Sequence, residues 1–163
     1  MIKFAKLHEA AKIPSKEKWN AGYDVYACFP EPFRILPAHT TTMIPTGICS
    51  AIPNEYYAQM FNRGSNGSKG LLQACGVIDA SYRGEWFVAM TNTNDDDWYI
   101  IKKQFVEDDG KSPTFPYMYP YEKAICQFVL LPVPVEDIIE VEPEEIQLDK
   151  TNRGSGSMGS SGK

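Results

Sequence analysis

The sequence predicts an all-β domain built as a barrel or a jelly roll. Short apolar and β-branched segments alternate with turns rich in Pro, Gly and Asn, and no segment keeps a helical period over a useful length. The chain has 163 residues, of which 43% are hydrophobic, so it can form one domain with a core. Many short strands with frequent turns are typical of barrels and jelly rolls.

Ten segments show the strand pattern, and proline or glycine separates many of them. They are, in chain order, residues 2–7, 24–29, 34–36, 41–44, 48–52, 56–61, 84–91, 98–102, 124–131 and 138–142. The nearest approach to a helix is residues 66–72, whose glycines limit it to a turn or two.

Composition and charge argue against several classes of function. The formal net charge of −5 does not suit a protein that binds duplex nucleic acid, because such proteins carry a basic face. No apolar stretch reaches the length of a membrane span, and the N-terminus lacks a secretion signal, so we expect no membrane contact and a cytoplasmic location. Cys28, Cys49, Cys75 and Cys126 are scattered and are interpreted as reduced core residues rather than as a zinc site or disulfides.

Segments rich in glycine and polar residues interrupt the strands. They are residues 21–24, 63–70, 76–84 and 151–163. Segment 63–70 carries Arg63 and Lys69 among glycines whose backbone N–H groups can converge on an anion. A plain surface loop has the same composition, so this segment alone indicates a phosphate site only weakly.

The last two of these segments each allow two interpretations. Asp79 is a typical turn former and Tyr82 a typical core residue, although both residue types also serve in catalytic sites. The tail, residues 151–163, has the composition of a flexible linker, because it consists mainly of Gly and Ser. The alternative is an arm that closes over a polyphosphate with its backbone amides, hydroxyls and arginine.

Taken in order, five segments resemble the five motifs of the trimeric dUTPase family. They are residues 21–27, 63–70, 76–85, 124–128 and 153–162. Because all five occur in order, the arm interpretation of the tail replaces the linker interpretation. The resemblance implies a dUTPase-like jelly roll (a β-clip type barrel) over residues 1–150, a C-terminal arm at 151–163, and a homotrimer with active sites at the subunit contacts.

The resemblance also implies a reaction, the hydrolysis of dUTP to dUMP and pyrophosphate, which keeps uracil out of DNA and supplies dUMP for dTMP synthesis. Asp79 would activate the water that attacks the α-phosphorus. The ring of Tyr82 would pack under the deoxyribose and exclude a ribose 2′-hydroxyl. The backbone at Gly76 and Ile78 would read the uracil edge, and Gln73 stands where several relatives place an amide that contacts the base.

The same resemblance assigns the triphosphate and the metal. Mg²⁺ would be held mainly by the phosphates, with Asp24 reaching it through water. The residues expected to bind the phosphates are Arg63, Gly64, Ser65, Gly67 and Gln127. Those expected to close over the nucleotide from the tail are Arg153, Met158, Gly159, Ser160 and Ser161.

Three positions depart from the family pattern. Gly64 stands where the second motif has a serine, and Ala124 stands where the fourth motif usually has an arginine. Met158 replaces a phenylalanine that stacks on uracil, and a thioether covers a base less rigidly than an aromatic ring does. We therefore expect weaker closure of the arm, which Met158→Phe would strengthen.

Residues 95–122, between the third and fourth motifs, form a longer segment than most family members have. Phage-encoded members often carry an insertion there, so this chain resembles those members, which act in a host cytoplasm. The aromatic residues Phe115, Tyr117, Tyr119 and Tyr121 are interpreted as exposed. They suggest a docking site for a regulatory protein, because aromatic side chains are favoured at interfaces. The simpler interpretation is a surface flap or a trimer contact.

Two other functions compete with the dUTPase assignment. A dCTP deaminase shares the fold but needs a carboxylate on the strand after the hairpin, where this chain has Ala89, and it typically has a tryptophan in place of Tyr82. A nucleotide-sensing module with weak or lost catalysis would explain the three departures. Retention of Asp79, Arg63 and Gln127 argues against complete loss.

Overall fold

The structure is a computed structural model that describes residues 1–106, 115–148 and 151. The chain divides into two compact units, residues 1–133 and 134–163. The strands of the first unit are β1 Lys3–Lys6, β2 Tyr23–Tyr26, β3 Phe33–Leu36, β4 Thr41–Pro45, β5 Ile48–Ala51, β6 Tyr56–Phe61, β7 Leu71–Gln73, β8 Val77–Ile78, β9 Phe87–Asn92, β10 Trp98–Ile101, β11 Met118–Pro120 and β12 Ala124–Pro132. Its one-turn helix is α1 Gly64–Gly67, and a 3₁₀ turn spans Lys103–Phe105. The second unit contains helix α2 Pro143–Leu148.

The predicted fold class is confirmed, because most secondary-structure elements of the described residues are strands and the helices are few and short. The strands group into four sheets with the orders β2-β12-β6-β8, β4-β9-β7, β11-β10-β3 and β1-β5. The pairings are antiparallel except for that of β10 with β11. Short strands in several small twisted sheets enclose one core, which is how a jelly roll avoids long exposed edges.

The core is centred on aromatic side chains from β2, from β12 and from Trp86, which immediately precedes β9. Phe128 is 1% exposed and stacks on Tyr23 with ring centroids 4.9 Å apart. Trp86 is fully buried and meets Phe128 edge-on at 5.2 Å, and its indole N–H donates to Ser50 Oγ. A buried indole needs such a partner, because an unsatisfied N–H would be costly in an apolar core.

One predicted strand is wrong. Residues 138–142 have no regular secondary structure, and helix α2 follows directly at Pro143. Proline suits the first position of a helix, and Glu144 and Glu145 in the first turn favour its N-terminal end. The apolar residues Ile138 and Ile139 are 98% and 76% exposed, so the strand pattern is present here without a neighbouring strand to pair with among the described residues.

Strands β7, β8 and β11 were not predicted, because each is too short to show an alternating pattern. The interpretation of the four aromatic residues in 95–122 as exposed is wrong for Tyr119, which is 2% exposed. Tyr117 is 40% exposed and lies against Trp98. The other two are half-buried: Phe115 packs on Phe33 and Tyr99, and Tyr121 packs on Phe29.

Among the described residues, neither helix has the length or apolar character that crossing a membrane requires.

Candidate active site

Strand register brings Asp24, predicted to reach the metal through water, close to Arg63 and Gln127, predicted to bind the phosphates. Strand β12 lies between β2 and β6, and Gln127 pairs with Asp24 on one side and with Phe61 on the other. Arg63 follows β6 by two residues, immediately before α1. They border a cleft of about 840 Å³, which we call the phosphate cleft. Its lining residues are Ser15, Lys16, Glu17, Trp19, Asn20, Ala21, Gly22, Asp24, Tyr26, Arg63, Gly64, Ser65 and Gln127.

A side-on ion pair fixes the guanidinium of Arg63 at the base of the cleft. Its Nε lies 3.0 Å from Asp24 Oδ1, and its Nη2 donates to Asp24 Oδ2 at 3.3 Å. The remaining Nη1 donates to the backbone oxygen of Ala124 at 3.3 Å. Two parallel N–H···O contacts hold the planar group in one orientation, so Arg63 is aimed before any anion arrives.

The α1 turn presents open backbone to the cleft. A Cβ atom added at Gly64 or Gly67 would meet nothing within 4 Å. Ser65 is exposed, and its hydroxyl lies 3.4 Å from Asn66 Oδ1, a weak contact that leaves it available to another acceptor. This turn can therefore offer hydroxyl and N–H groups to an anion without steric obstruction.

Gly22 allows Gln127 to reach its position. A Cβ added at Gly22 would collide with Gln127 Oε1, so no larger residue fits without moving that amide. The Nε2 of Gln127 donates to the backbone oxygen of Asn62 at 2.9 Å. Glycine therefore leaves room for this amide by close approach, and its backbone conformation is not the reason for it.

Asp79, the predicted catalytic residue, and Tyr82, predicted to pack under the deoxyribose, lie on a different surface, which we call the hairpin (residues 76–85). The strands that flank this segment do not pair with each other, since β8 pairs with β6 and β9 pairs with β4 and β7. Asp79 is exposed, and its backbone oxygen accepts from the N–H of Tyr82 at 3.1 Å. Tyr82 is 42% exposed and folds over Gly84, and its hydroxyl donates to the Glu85 oxygen at 2.8 Å. A second cavity of about 270 Å³ is lined by Met43, Val77, Ile78, Asp79, Tyr82, Glu85 and Phe87.

The first residue of the hairpin is held firmly but stays open on one side. The backbone oxygen of Gly76 accepts from the N–H of Met60 at 3.0 Å and from Gln59 Nε2 at 3.2 Å. A Cβ at Gly76 would meet nothing within 4 Å, so a planar base can approach the backbone there. The amide of Gln73 is occupied at both ends, since Nε2 donates to the Met60 oxygen and Oε1 accepts from the N–H of Cys75.

The phosphate cleft and the hairpin cavity have no lining residue in common. Ile78 pairs with Ala58, three residues along β6 from the Phe61 position that faces Gln127, and β6 separates the two strands. With ordinary strand spacings, Gln127 and Ile78 are roughly 14 Å apart, and Asp79 lies beyond Ile78. One copy of the chain therefore presents the two halves of the site separately.

Asn66 and Tyr119 are buried residues beneath the cleft, and the sequence did not connect either of them with the phosphate site. Asn66 reads as part of a glycine-rich loop, and Tyr119 as one of several aromatics in a divergent segment. Trp19 and Lys16, at the rim of the cleft, also gave no signal. The predicted tail residues Arg153, Met158, Gly159, Ser160 and Ser161 lie outside the described residues.

Fold and site together define an all-β protein with a polar cleft that Arg63, Ser65 and Gln127 border. The family model for dUTPase matches residues 8–106. The deoxyuridine 5′-triphosphate nucleotidohydrolase of Syntrophotalea carbinolica is 32% identical over 99% of this chain and 96% of its own. That of Chlamydia trachomatis is 33% identical over 98% and 97%. This chain therefore belongs to the dUTPase family.

Solved phage structures share the fold. The dUTPase of Staphylococcus bacteriophage 80alpha (the G164S mutant with dUpNHpp) has a TM-score of 0.77 at 23% identity, and the match covers 99% of this chain and 98% of that one. The dUTPase from phage phi11 of S. aureus has a TM-score of 0.68 at 23% identity over 87% and 96%.

Proposed function

We propose that this protein hydrolyses dUTP to dUMP and pyrophosphate, and so keeps uracil out of DNA and supplies dUMP for dTMP synthesis. The observation that carries the proposal is an exposed carboxylate, Asp79, at the position the family uses to activate water, on a hairpin whose backbone is hydrogen-bonded. The named relatives are deoxyuridine 5′-triphosphate nucleotidohydrolases, and each matches this chain along nearly its whole length.

In this proposal Arg63 and the α1 turn bind the triphosphate. The ion pair with Asp24 orients the guanidinium, so a phosphate oxygen meets a donor that has already lost its rotational freedom. Ser65, the backbone of Gly64 and Gly67, and the amide of Gln127 border the same cleft or turn and add neutral donors. By holding the β- and γ-phosphates, charge-assisted and neutral hydrogen bonds together can keep the α-phosphorus in place for in-line attack.

Asp79 would take a proton from the attacking water and aim its lone pair at the α-phosphorus. An exposed carboxylate is a weak base, so most of its effect comes from placing the water. Tyr82 lies beside it with its hydroxyl tied to Glu85, so the ring face is fixed for contact with a deoxyribose. The backbone at Gly76, which is open on one side, and at Ile78 would read the uracil edge. Gln73, expected from the sequence to contact the base, would instead support that backbone, because both ends of its amide are occupied.

The active unit is proposed to be a homotrimer in which two copies complete each site. The separation of Gln127 from Ile78 is roughly 14 Å by strand spacing, which is too long for one copy to hold the phosphates and place the water. The second unit also carries unpartnered apolar side chains, with Val135 94% and Ile138 98% exposed. Side chains exposed to this degree are typical of segments that pack on another copy.

The residues present fit a magnesium ion that is carried mainly by the substrate. The described residues contain no group of three or more His, Cys, Asp or Glu that could form a metal cage. Asp24 is the carboxylate beside Arg63 and the α1 turn, and it would hold the ion through water. Mg²⁺ prefers oxygen ligands, keeps several waters, and neutralises charge on the phosphates when bound.

The cysteines support a reducing compartment such as the cytoplasm. Cys28, Cys49, Cys75 and Cys126 are all free thiols. Disulfides are typical of oxidising compartments, so free thiols fit a protein that acts where nucleotides are made.

A dCTP deaminase is disfavoured, because Ala89 on β9 supplies no carboxylate and its N–H is occupied by Cys75 Sγ at 2.9 Å.

The proposal is tested by measuring pyrophosphate release from dUTP in the presence of Mg²⁺. Separate reactions with dCTP, dTTP and UTP measure the specificity. We expect fast release from dUTP alone and its loss in Asp79→Asn. Binding of dUTP without release by the wild-type protein would instead favour the nucleotide-sensing alternative, in which catalysis is lost.

A second proposed role is docking of a regulatory protein on residues 95–122. A cavity of about 540 Å³ with mainly apolar side chains opens there, bordered by Trp98, Tyr117 and Met118. Deleting residues 112–120 would not test this cleanly, because it removes the buried Tyr119. Tyr117→Ser is the better variant: loss of partner binding with unchanged dUTP hydrolysis supports docking, and loss of the trimer supports a subunit contact.

A further inference from the structure

A buried polar contact joins residues 95–122 to the α1 turn. Tyr119 on β11 is 2% exposed, and Asn66 in α1 is 1% exposed. The hydroxyl of Tyr119 lies 2.7 Å from Asn66 Oδ1 and 2.6 Å from the backbone oxygen of Ala124. The Nδ2 of Asn66 donates to the backbone oxygen of Ile125 at 2.5 Å. Polar groups buried this deeply are retained at a cost in desolvation, so the network fixes a specific geometry.

The α1 turn cannot hold its own shape. It has four residues, two of them glycine, and no side chain caps its N-terminal end. Glycine is among the poorest helix formers, and a single turn is unstable on its own. Its conformation must therefore come from tertiary contacts, and Asn66 is its one buried residue.

Arg63 joins the same network from the cleft side. Its Nη1 donates to the Ala124 oxygen, the atom that Tyr119 also contacts. Tyr119, Asn66 and Arg63 thus converge on two consecutive carbonyls at the start of β12. If the Tyr119 hydroxyl were removed, Asn66 Oδ1 would lose its close buried donor and the turn could rotate.

The phenol remains a donor at neutral pH. Burial raises the pKa of Tyr119 above its ordinary value of 10.0, and Arg63 opposes that shift only in part. Because a hydroxyl has one proton, it donates to the Ala124 oxygen or to Asn66 Oδ1 at any instant.

We propose that Tyr119 is a positioning residue for the triphosphate: by fixing Asn66 it holds the α1 turn and Arg63 in the arrangement that binds the β- and γ-phosphates. This inference rests on the proposed dUTP hydrolysis. It assigns to the divergent 95–122 segment a role in supporting the active site, because β11 supplies a side chain from beneath the cleft. Tyr119 touches neither substrate nor water in this role.

The test compares Tyr119→Phe with the wild type for hydrolysis of dUTP and for binding of two probes. One probe is the α,β-imido analogue of dUTP, and the other is dUMP, which lacks the β- and γ-phosphates. We expect kcat/KM to fall about tenfold and affinity for the analogue to fall similarly, with dUMP affinity changed less than about twofold. A purely structural role would weaken both probes alike.

Tyr117→Phe is the matched control, because it removes the same hydroxyl from a side chain that is 40% exposed two residues away. We expect it to leave kcat/KM and both affinities unchanged. Equal affinity of wild type and Tyr119→Phe for the analogue would overturn the inference. A wild-type protein that neither binds nor cleaves dUTP would overturn the proposed function, and the inference with it.

Asn66→Asp keeps the test decisive if Tyr119→Phe fails to fold. It retains an acceptor for Tyr119 but removes the donor to the Ile125 oxygen, so the same selective loss of analogue affinity is expected. Where both single variants fold, the double variant should lose no more affinity for the analogue than the weaker-binding single variant does, since both substitutions act through the same turn. Additive effects, or an Asn66→Asp variant with wild-type analogue affinity, would contradict the proposal.

Discussion

The phosphate cleft and the hairpin are stabilised in different ways. Around the cleft, Arg63 makes three contacts to Asp24 and Ala124, and buried residues support the turn from beneath. On the hairpin, Asp79 and Tyr82 are exposed, and local backbone contacts hold them. One copy thus holds the residues of the cleft together, while the hairpin presents its side chains outward. This difference is expected of a site whose second half comes from another copy.

The largest effect is expected at the hairpin, from Asp79→Asn. The amide keeps the shape but cannot accept the water's proton, so kcat should fall on the order of 10² to 10⁴-fold with little change in KM. Steady-state kinetics with dUTP and Mg²⁺ measure this. A variant with wild-type kcat would remove Asp79 from the mechanism.

A smaller loss is expected at the cleft, from Gly22→Ala. The added methyl group would collide with Gln127 Oε1, so the amide must turn and lose its bond to the Asn62 oxygen. We expect KM for dUTP to rise about tenfold with kcat less affected. Thermal unfolding of the same variant is the control: a large fall in Tm would mean that the fold has been damaged rather than the cleft alone.

Part of the arrangement around the cleft was predictable from the sequence. The motifs that resemble the family located Arg63 and Gln127, because their spacing along the chain is preserved, and the register of β2, β12 and β6 brings them together. Asn66 and Tyr119 were not predictable, since they are 53 residues apart and only the tertiary structure makes them partners. Residues 138–142 have a strand pattern, but a strand also needs a neighbour, which the sequence of one chain cannot supply.

Alkaline pH tests the buried support of the cleft. Burial raises the pKa of the Cys126 thiol far above its ordinary value of 9.0 and that of the Tyr119 phenol above 10.0. Above pH 9 the unfolded chain releases these protons first, so the free energy of unfolding should fall as pH rises. Urea unfolding at pH 7.5 and pH 10 measures the loss, and Cys126→Ala should show a smaller one. An equal loss in that variant would exclude Cys126 as a source.

The smallest effects are expected where the chain departs from its family. Gly64→Ser adds a hydroxyl where a Cβ meets nothing within 4 Å, so KM for dUTP should fall by a few-fold at unchanged stability. Met158→Phe should also lower KM by a few-fold, if the arm stacks on the base. Steady-state kinetics measure both effects. Unchanged constants would mean that these positions do not contact the nucleotide.

The central claim, that two copies complete each site, is tested most directly with hybrid trimers. Asp79→Asn and Arg63→Gln subunits, each inactive alone, are co-expressed with different tags and purified over both. Every such trimer contains one site with an intact Arg63 from one copy and an intact Asp79 from the next, so we predict about one third of wild-type activity. Hybrid trimers with no activity above that of the separate variants would contradict the account, because both halves would then have to come from the same copy.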